Sequence, residues 1–126
     1  MMEKLTTIVL GASDNPERYS FRAIKALVDN DHPTAGVHPR LQSISGVGVF
    51  KSLELAARSL GTVDTITMYV GAKRSTPMLE AIVAANPRRV IFNPGAENEE
   101  LSQKLSAHKI ECIEACTLVL LATNQY

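Results

Sequence analysis

The sequence predicts a single α/β domain over residues 1–126: a Rossmann-like, doubly wound, mainly parallel sheet of about five to six strands with helices on both faces. Two observations predict it. Short apolar runs rich in Val, Ile and Thr alternate along the chain with stretches whose apolar residues recur at helical spacing. The first run, Ile8-Val9-Leu10, stops at Gly11 and passes through a polar turn into a helical pattern, which is the order of a β–α connection in a parallel sheet. The chain has the length of one domain and carries no linker, internal repeat or low-complexity tract.

Residues 5–10 form the first strand, and Thr6, Thr7, Ile8 and Val9 give it a β-branched content suited to a sheet interior. A helix follows over 20–30, with Phe21, Ile24, Leu27 and Val28 on one face and Ser20 as its N-cap. Asp29-Asn30-Asp31-His32-Pro33 ends it with turn formers. Thr34-Ala35-Gly36-Val37 is a second, weaker strand closed by His38-Pro39, and residues 40–46 read as a loop. Val47-Gly48-Val49-Phe50 is a short third strand or simply an extended segment. A helix over 53–60 turns Leu53, Ala56, Ala57 and Leu60 inward and ends at Gly61.

Residues 64–70 form a strong strand, and Gly71-Ala72-Lys73-Arg74 is the turn after it. The next helix starts with Thr76 as cap and Pro77 at its first position, carries Met78, Leu79, Ile82 and Val83 on one stripe, and stops at Asn86-Pro87. Arg89-Val90-Ile91-Phe92 is a strand broken by Asn93-Pro94-Gly95-Ala96. Asn98 then caps a helix whose first turn holds Glu99 and Glu100, whose inward pair is Leu101 and Leu105, and whose end carries Lys104, His108 and Lys109. Residues 110–113 are the last strand, and residues 114–126 close the domain with a helical turn near Leu118.

Composition narrows the partners. Thirteen basic residues balance thirteen acidic ones, which argues against bulk attraction to nucleic acid or membrane but leaves room for a local basic pocket. The longest apolar run, Leu118-Val119-Leu120-Leu121-Ala122, is far shorter than the roughly 20 residues of a membrane span. Met1-Met2-Glu3-Lys4 runs straight into the first strand without a secretory signal, so a cytoplasmic location is expected. Cys112 and Cys116 form neither a four-ligand zinc pattern nor a Cys-x-x-Cys motif and read as reduced thiols near the core, and no metal site is expected.

In an open α/β sheet the ligand lies at the carboxyl ends of the strands, near the switch in strand order. The turns after strands should therefore carry the functional residues. They offer Gly11, Ala12, Ser13, Arg18, Tyr19 and Ser20, then His38, Pro39 and Arg40, then Gly71, Lys73 and Arg74, then Asn93, Pro94 and Gly95, and last Ala115, Cys116 and Thr117. The turn at Gly11 reads either as an anion site at a helix N-terminus or as an ordinary β–α connection. Gly11 is the only glycine of that turn, so the dinucleotide fingerprint is absent, and no acidic residue closes the second strand to hold a ribose. Arg40 stands there instead. A base at that place suits a phosphorylated ribose, as in NADP or coenzyme A, and no P-loop occurs.

Catalytic candidates are few. His32 and His108 read as solvated surface residues, and only His38 sits at the expected site edge. No Ser-His-Asp order is recognisable, and Glu97, Glu99 and Glu100 read as a helix start. Cys116 is either a small apolar filler or a nucleophile whose pKa would have to be lowered. Arg18, Arg40 and Arg74 are the candidate phosphate ligands, since a guanidinium binds phosphate bidentately. The residues leave open a non-catalytic cofactor binder, a small NADP-linked reductase or Cys116-dependent acyl-transfer enzyme, and a structural subunit. A protein partner or a homo-oligomer is compatible with each.

Gly11-Ala12-Ser13-x-x-Pro16-x-Arg18-x-Ser20 resembles the opening motif of the small bacterial CoA-binding domain proteins, stand-alone Rossmann-like domains similar to the CoA-binding domain of succinyl-CoA ligase. The resemblance continues through Val37-His38-Pro39, Val49-Phe50-Lys51-Ser52-Leu53, Val63-Asp64-Thr65-Ile66, Asn93-Pro94-Gly95 and Glu114-Ala115-Cys116-Thr117-Leu118. It implies that CoA or an acyl-CoA is bound without catalysis. Gly11, Ala12, Ser13 and Arg18, with Ser20 at the helix start, would cradle the pyrophosphate. Pro39 and Arg40, with Val37 and His38 nearby, would hold the adenosine and its 3′-phosphate. Val70, Gly71, Asn93, Pro94 and Gly95 would line the rest of the cofactor. Ligase chemistry is not implied, because the chain has room for the cofactor domain alone and His108 lies outside every matching motif.

Overall fold

The computed structural model describes residues 4–126; Met1, Met2 and Glu3, expected to lead straight into the first strand, lie outside the described residues. In chain order the elements are β1 (Thr7–Leu10), α1 (Tyr19–Asp29), β2 (Thr34–Val37), β3 (Ser43–Ile44), β4 (Val47–Phe50), α2 (Leu53–Leu60) and β5 (Thr65–Met68). They continue with α3 (Ala72–Ser75), a 3₁₀ turn (Thr76–Met78), α4 (Leu79–Ala85), β6 (Arg89–Phe92), α5 (Glu99–Ala107), β7 (Glu111–Glu114) and α6 (Thr117–Ala122). The strands form one sheet in the order β3-β4-β2-β1-β5-β6-β7, parallel throughout except for the antiparallel β3–β4 pair. Strand order reverses between β1 and β5, which makes that boundary the switch point.

The sheet is doubly wound because its strands bury alternate residues on opposite faces. Ile8 and Leu10 of β1 join Ile66, Met68, Val90 and Phe92 under α2, α4 and α5, which contribute Leu53, Ala56, Ile82, Leu101 and Leu105. Val9 points the other way, against Ile24 and Leu27 of α1 and Leu121 of α6. Each fully buried Val, Leu, Ile, Met or Phe side chain among them contributes about 1.5–3 kcal/mol.

The fold departs from expectation in four places. Seven strands are present among the described residues, against the five to six expected, because β3 lies inside the segment read as a loop. Ser45 and Gly46, at φ 50° and 81°, form the tight turn that folds it back on β4. Two residues are too few to show a period in sequence. Second, α1 starts at Tyr19, so Arg18 takes the N-cap place and Ser20 is buried within the first turn. Third, the helix expected from Thr76 begins at Ala72, directly after Gly71; Pro77 is accommodated in the 3₁₀ turn, and the Thr76 hydroxyl donates to the Ala72 carbonyl at 2.9 Å. Fourth, His32 is not solvated but only 3% exposed, its Nδ1 accepting from the Leu5 amide at 2.9 Å. Burial, with Lys4 and Arg89 nearby, holds its pKa below the ordinary histidine value.

Candidate functional site

The parallel strands end level. Leu10 pairs with Val37 and Met68, Val37 with Phe50, and Met68 with Phe92. Gly11, His38, Lys51, Tyr69 and Asn93 therefore leave the sheet along one rim. Over this rim opens a cavity of about 750 Å³ that straddles the switch point. Gly11, Ala12, Ser13, Arg18 and Ser20 line it from the first β–α turn, Val37, His38, Pro39 and Arg40 from the second, and Val70 and Pro94 from the later strands.

Gly11 has φ +91°, and a Cβ there would stand 2.9 Å from Val70 Cγ1 and 3.1 Å from the Tyr69 carbonyl carbon. The first turn thus packs directly on the end of β5, and only glycine allows it. The Gly11 and Ala12 amides both donate to the Val37 carbonyl, at 3.3 and 3.1 Å, so they brace the turn to β2. The donors facing the cavity belong to α1. Its N-cap makes no side-chain bond and its first turn holds no acid. The Tyr19, Ser20 and Phe21 amides have no partner among the described residues. By contrast, Ser52 caps α2 by accepting from Leu55, and Asn98 caps α5 by accepting from Leu101. An uncapped helix start with a free turn of N–H groups has the donors and the dipole end that suit an anion.

The second turn is built around an imidazole. The His38 amide donates to the Phe50 carbonyl at 2.9 Å, which ties the turn to β4. His38 Nδ1 accepts from the Arg40 and Leu41 amides at 3.0 and 3.1 Å. A neutral His38 therefore carries its proton on Nε2 and presents a donor at its outer edge.

On the β5 side, Tyr69, Arg74 and Met78 complete the lining. Burial pushes the Tyr69 phenol up to about 12, so it stays protonated at neutral pH. Its oxygen lies near Thr67 and Thr117, yet those hydroxyls bond each other at 2.7 Å and Tyr69 has no hydrogen bond of good geometry among the described residues. Gly71, Asn93 and Gly95 are not part of the lining: Asn93 is buried beneath the rim, and Gly71 and Gly95 are exposed outside the cavity. Asn93 is 2% exposed and its amide is spent inside: Nδ2 donates to Thr67 Oγ1 and the Met68 carbonyl, and Oδ1 accepts from the Thr117 amide. Gly71 is the N-cap of α3, and the Gly95 amide donates to Glu97. Cys116 precedes α6, half-buried and outside the lining, and burial pushes the Cys112 thiol above its ordinary value.

Charge is the clearest property of the cavity. Arg18, Arg40, Lys51 and Arg74 line it, and among the described residues no Asp or Glu does, in a chain whose formal net charge is zero. None of these four forms a salt bridge within 4.0 Å among the described residues. Arg18, Arg40 and Arg74 were legible as candidates in the sequence, and Tyr19 as a residue of the first turn, whereas Lys51, Leu10, Tyr69 and Met78 were not. Lys51 was legible only if β4 was placed in the parallel sheet, since its turn then opens on the same rim as that of β2. Among the described residues no cluster of three His, Cys, Asp or Glu could hold a metal, and no helix is long and apolar enough to cross a membrane.

An open, doubly wound sheet with a cationic cavity at its switch point defines the Rossmann-like class of nucleotide-cofactor folds. Within that class the sequence matches the CoA binding domain family over residues 5–122, and the chain belongs to that family. A crystal structure of an uncharacterised protein is 31% identical, with a TM-score of 0.89, 99% of this chain and 100% of that one being covered. A hypothetical protein from Pyrococcus horikoshii OT3 is 20% identical, with a TM-score of 0.82 over 90% of this chain and 79% of that one. The dinucleotide forming acetyl-coenzyme A synthetase 1 of Ca. Korarchaeum cryptofilum, in complex with phosphate and ADP, shares the fold at 14% identity and a TM-score of 0.70. The alignment covers 87% of this chain but only 25% of that one. No curated protein matches the sequence.

Proposed function

We propose that the chain, as one domain over residues 1–126, binds coenzyme A or an acyl-CoA at the carboxyl ends of its strands without catalysing a reaction. The observation that carries this reading is the cavity lined by four cations and, among the described residues, no carboxylate, around a helix start that lacks a cap. Such a site fits a ligand with several phosphates. Ser13, Arg18 and the amides at Ser20 would hold the pyrophosphate, with Gly11 and Ala12 fixing the turn. Val37, His38, Pro39 and Arg40 would hold the adenosine and its 3′-phosphate. The pantetheine arm would run past Val70 and Pro94 towards Met78, over the strand end that Asn93 braces, with Gly71 and Gly95 at the outer edge of its path.

A non-catalytic role is part of this proposal, and Cys116, the thiol that an acyl transfer would use, lies outside the lining. Two free cysteines fit a reducing compartment, and we place the protein in a bacterial cytoplasm. Calorimetric titration with CoA, dephospho-CoA and NADPH tests the reading. CoA should bind most tightly and dephospho-CoA more weakly. Tight binding of NADPH with no binding of CoA would overturn it in favour of a reductase.

A further inference from the structure

The four cations of the cavity come from two separate parts of the rim. Arg18 precedes α1 and Arg74 belongs to α3, so both flank the switch between β1 and β5. Arg40 follows β2 and Lys51 follows β4. In the order β4-β2-β1-β5, two strand spacings of roughly 4.8 Å, about 10 Å, separate the middle of the β4–β2 pair from the middle of the β1–β5 pair. A pyrophosphate is shorter than that. Two pairs of cations set apart fit two separate anionic groups.

Lys51 and Arg40 follow adjacent strands. Phe50 pairs with Val37, and the His38 amide donates to the Phe50 carbonyl, so Lys51 leaves β4 beside the turn that carries Arg40. His38 Nδ1 holds that turn by accepting from the Arg40 amide. Both cations are exposed, both line the cavity, and neither forms a salt bridge within 4.0 Å among the described residues. Glu54, the acid nearest Lys51 in sequence, sits in the first turn of α2 and takes no part in the lining.

We propose that Lys51 is a specificity residue that joins Arg40 in a two-point clamp on the 3′-phosphate, so that the site selects 3′-phosphorylated adenosine over its unphosphorylated counterpart. This inference rests on the CoA reading. Arg40 supplies a planar fork and Lys51 a mobile point charge, which together can meet three phosphate oxygens from two sides.

The test is a calorimetric titration of wild type, Lys51→Met, Arg40→Met and the double variant with CoA and with dephospho-CoA. Lys51→Met should weaken CoA by about tenfold and leave dephospho-CoA within about twofold. The double variant should bind the two ligands alike, and Lys51→Arg should retain most of the preference for CoA. An equal loss for both ligands would show that Lys51 reaches the pyrophosphate instead, and no loss for either would remove it from the site; each outcome overturns the clamp while CoA binding stands. A wild-type protein that binds neither ligand overturns the CoA reading itself.

Discussion

Replacing Gly11 by alanine tests whether the first turn must lie against β5. Two effects add. At φ +91° an alanine sits in a backbone region that L side chains rarely adopt, which costs about 1–2 kcal/mol. Its Cβ would also stand 2.9 Å from Val70 Cγ1 and 3.1 Å from Tyr69 backbone, and overpacking of this kind costs about 1–3 kcal/mol. The total for Gly11→Ala is about 2–5 kcal/mol. Gly46→Ala is the control: at φ +81° a Cβ there meets nothing within 4 Å, so only the backbone effect of about 1–2 kcal/mol applies. Urea unfolding of the two variants without ligand gives the comparison, provided the slope with denaturant is unchanged. Gly11→Ala should be the less stable by about 1–3 kcal/mol. Equal stabilities would refute the close approach of the turn to Val70, and with it the placement of the first turn over the switch point.

Two further predictions concern buried polar groups. Tyr69→Phe removes a hydroxyl that lacks a good partner, so urea unfolding should show it neutral or slightly stabilised; a loss of more than about 1 kcal/mol would reveal a bond to Thr67 or Thr117. His32 has a pKa in the folded chain below the 6.5 of the free side chain, so the unfolded chain takes up its proton first. Stability should therefore be level above about pH 6.5 and fall as pH drops through the range between the two values, and His32→Asn should flatten that slope. Burial tends to raise Asp64, but hydrogen bonds from Arg88 and Thr65 leave it below its ordinary 3.8, so its contribution is lost at still lower pH.

The alternation of strands and helices was legible because β1, β5 and β6 are buried on both faces and read as apolar or β-branched runs. Asn98 was legible as a cap because Glu99 and Glu100 follow it and agree with the helix dipole. What escaped depends on partners far away in the chain. His32 sits in a run of turn formers, yet it is buried because its ring lies 5.0 Å from that of Tyr126 and its nitrogen satisfies Leu5. The Gly11 and Ala12 amides are taken by the Val37 carbonyl, a partner no local pattern shows, so the open N–H groups are those of Tyr19, Ser20 and Phe21. Lys51 joined the site only through the pairing of β4 with β2. Local pattern thus located the rim, and strand order decided which side chains share it.

The most direct measurement is a titration of isotopically labelled protein with CoA, followed by the shifts of its backbone amides. The account predicts saturable binding, with the largest movements at Ser13, Tyr19, Ser20, Phe21, His38 and Arg40. Amides on the opposite rim, such as Asn86 and Lys109, should stay still. Saturating CoA that leaves the α1 start unmoved, or moves only the far rim, would contradict it.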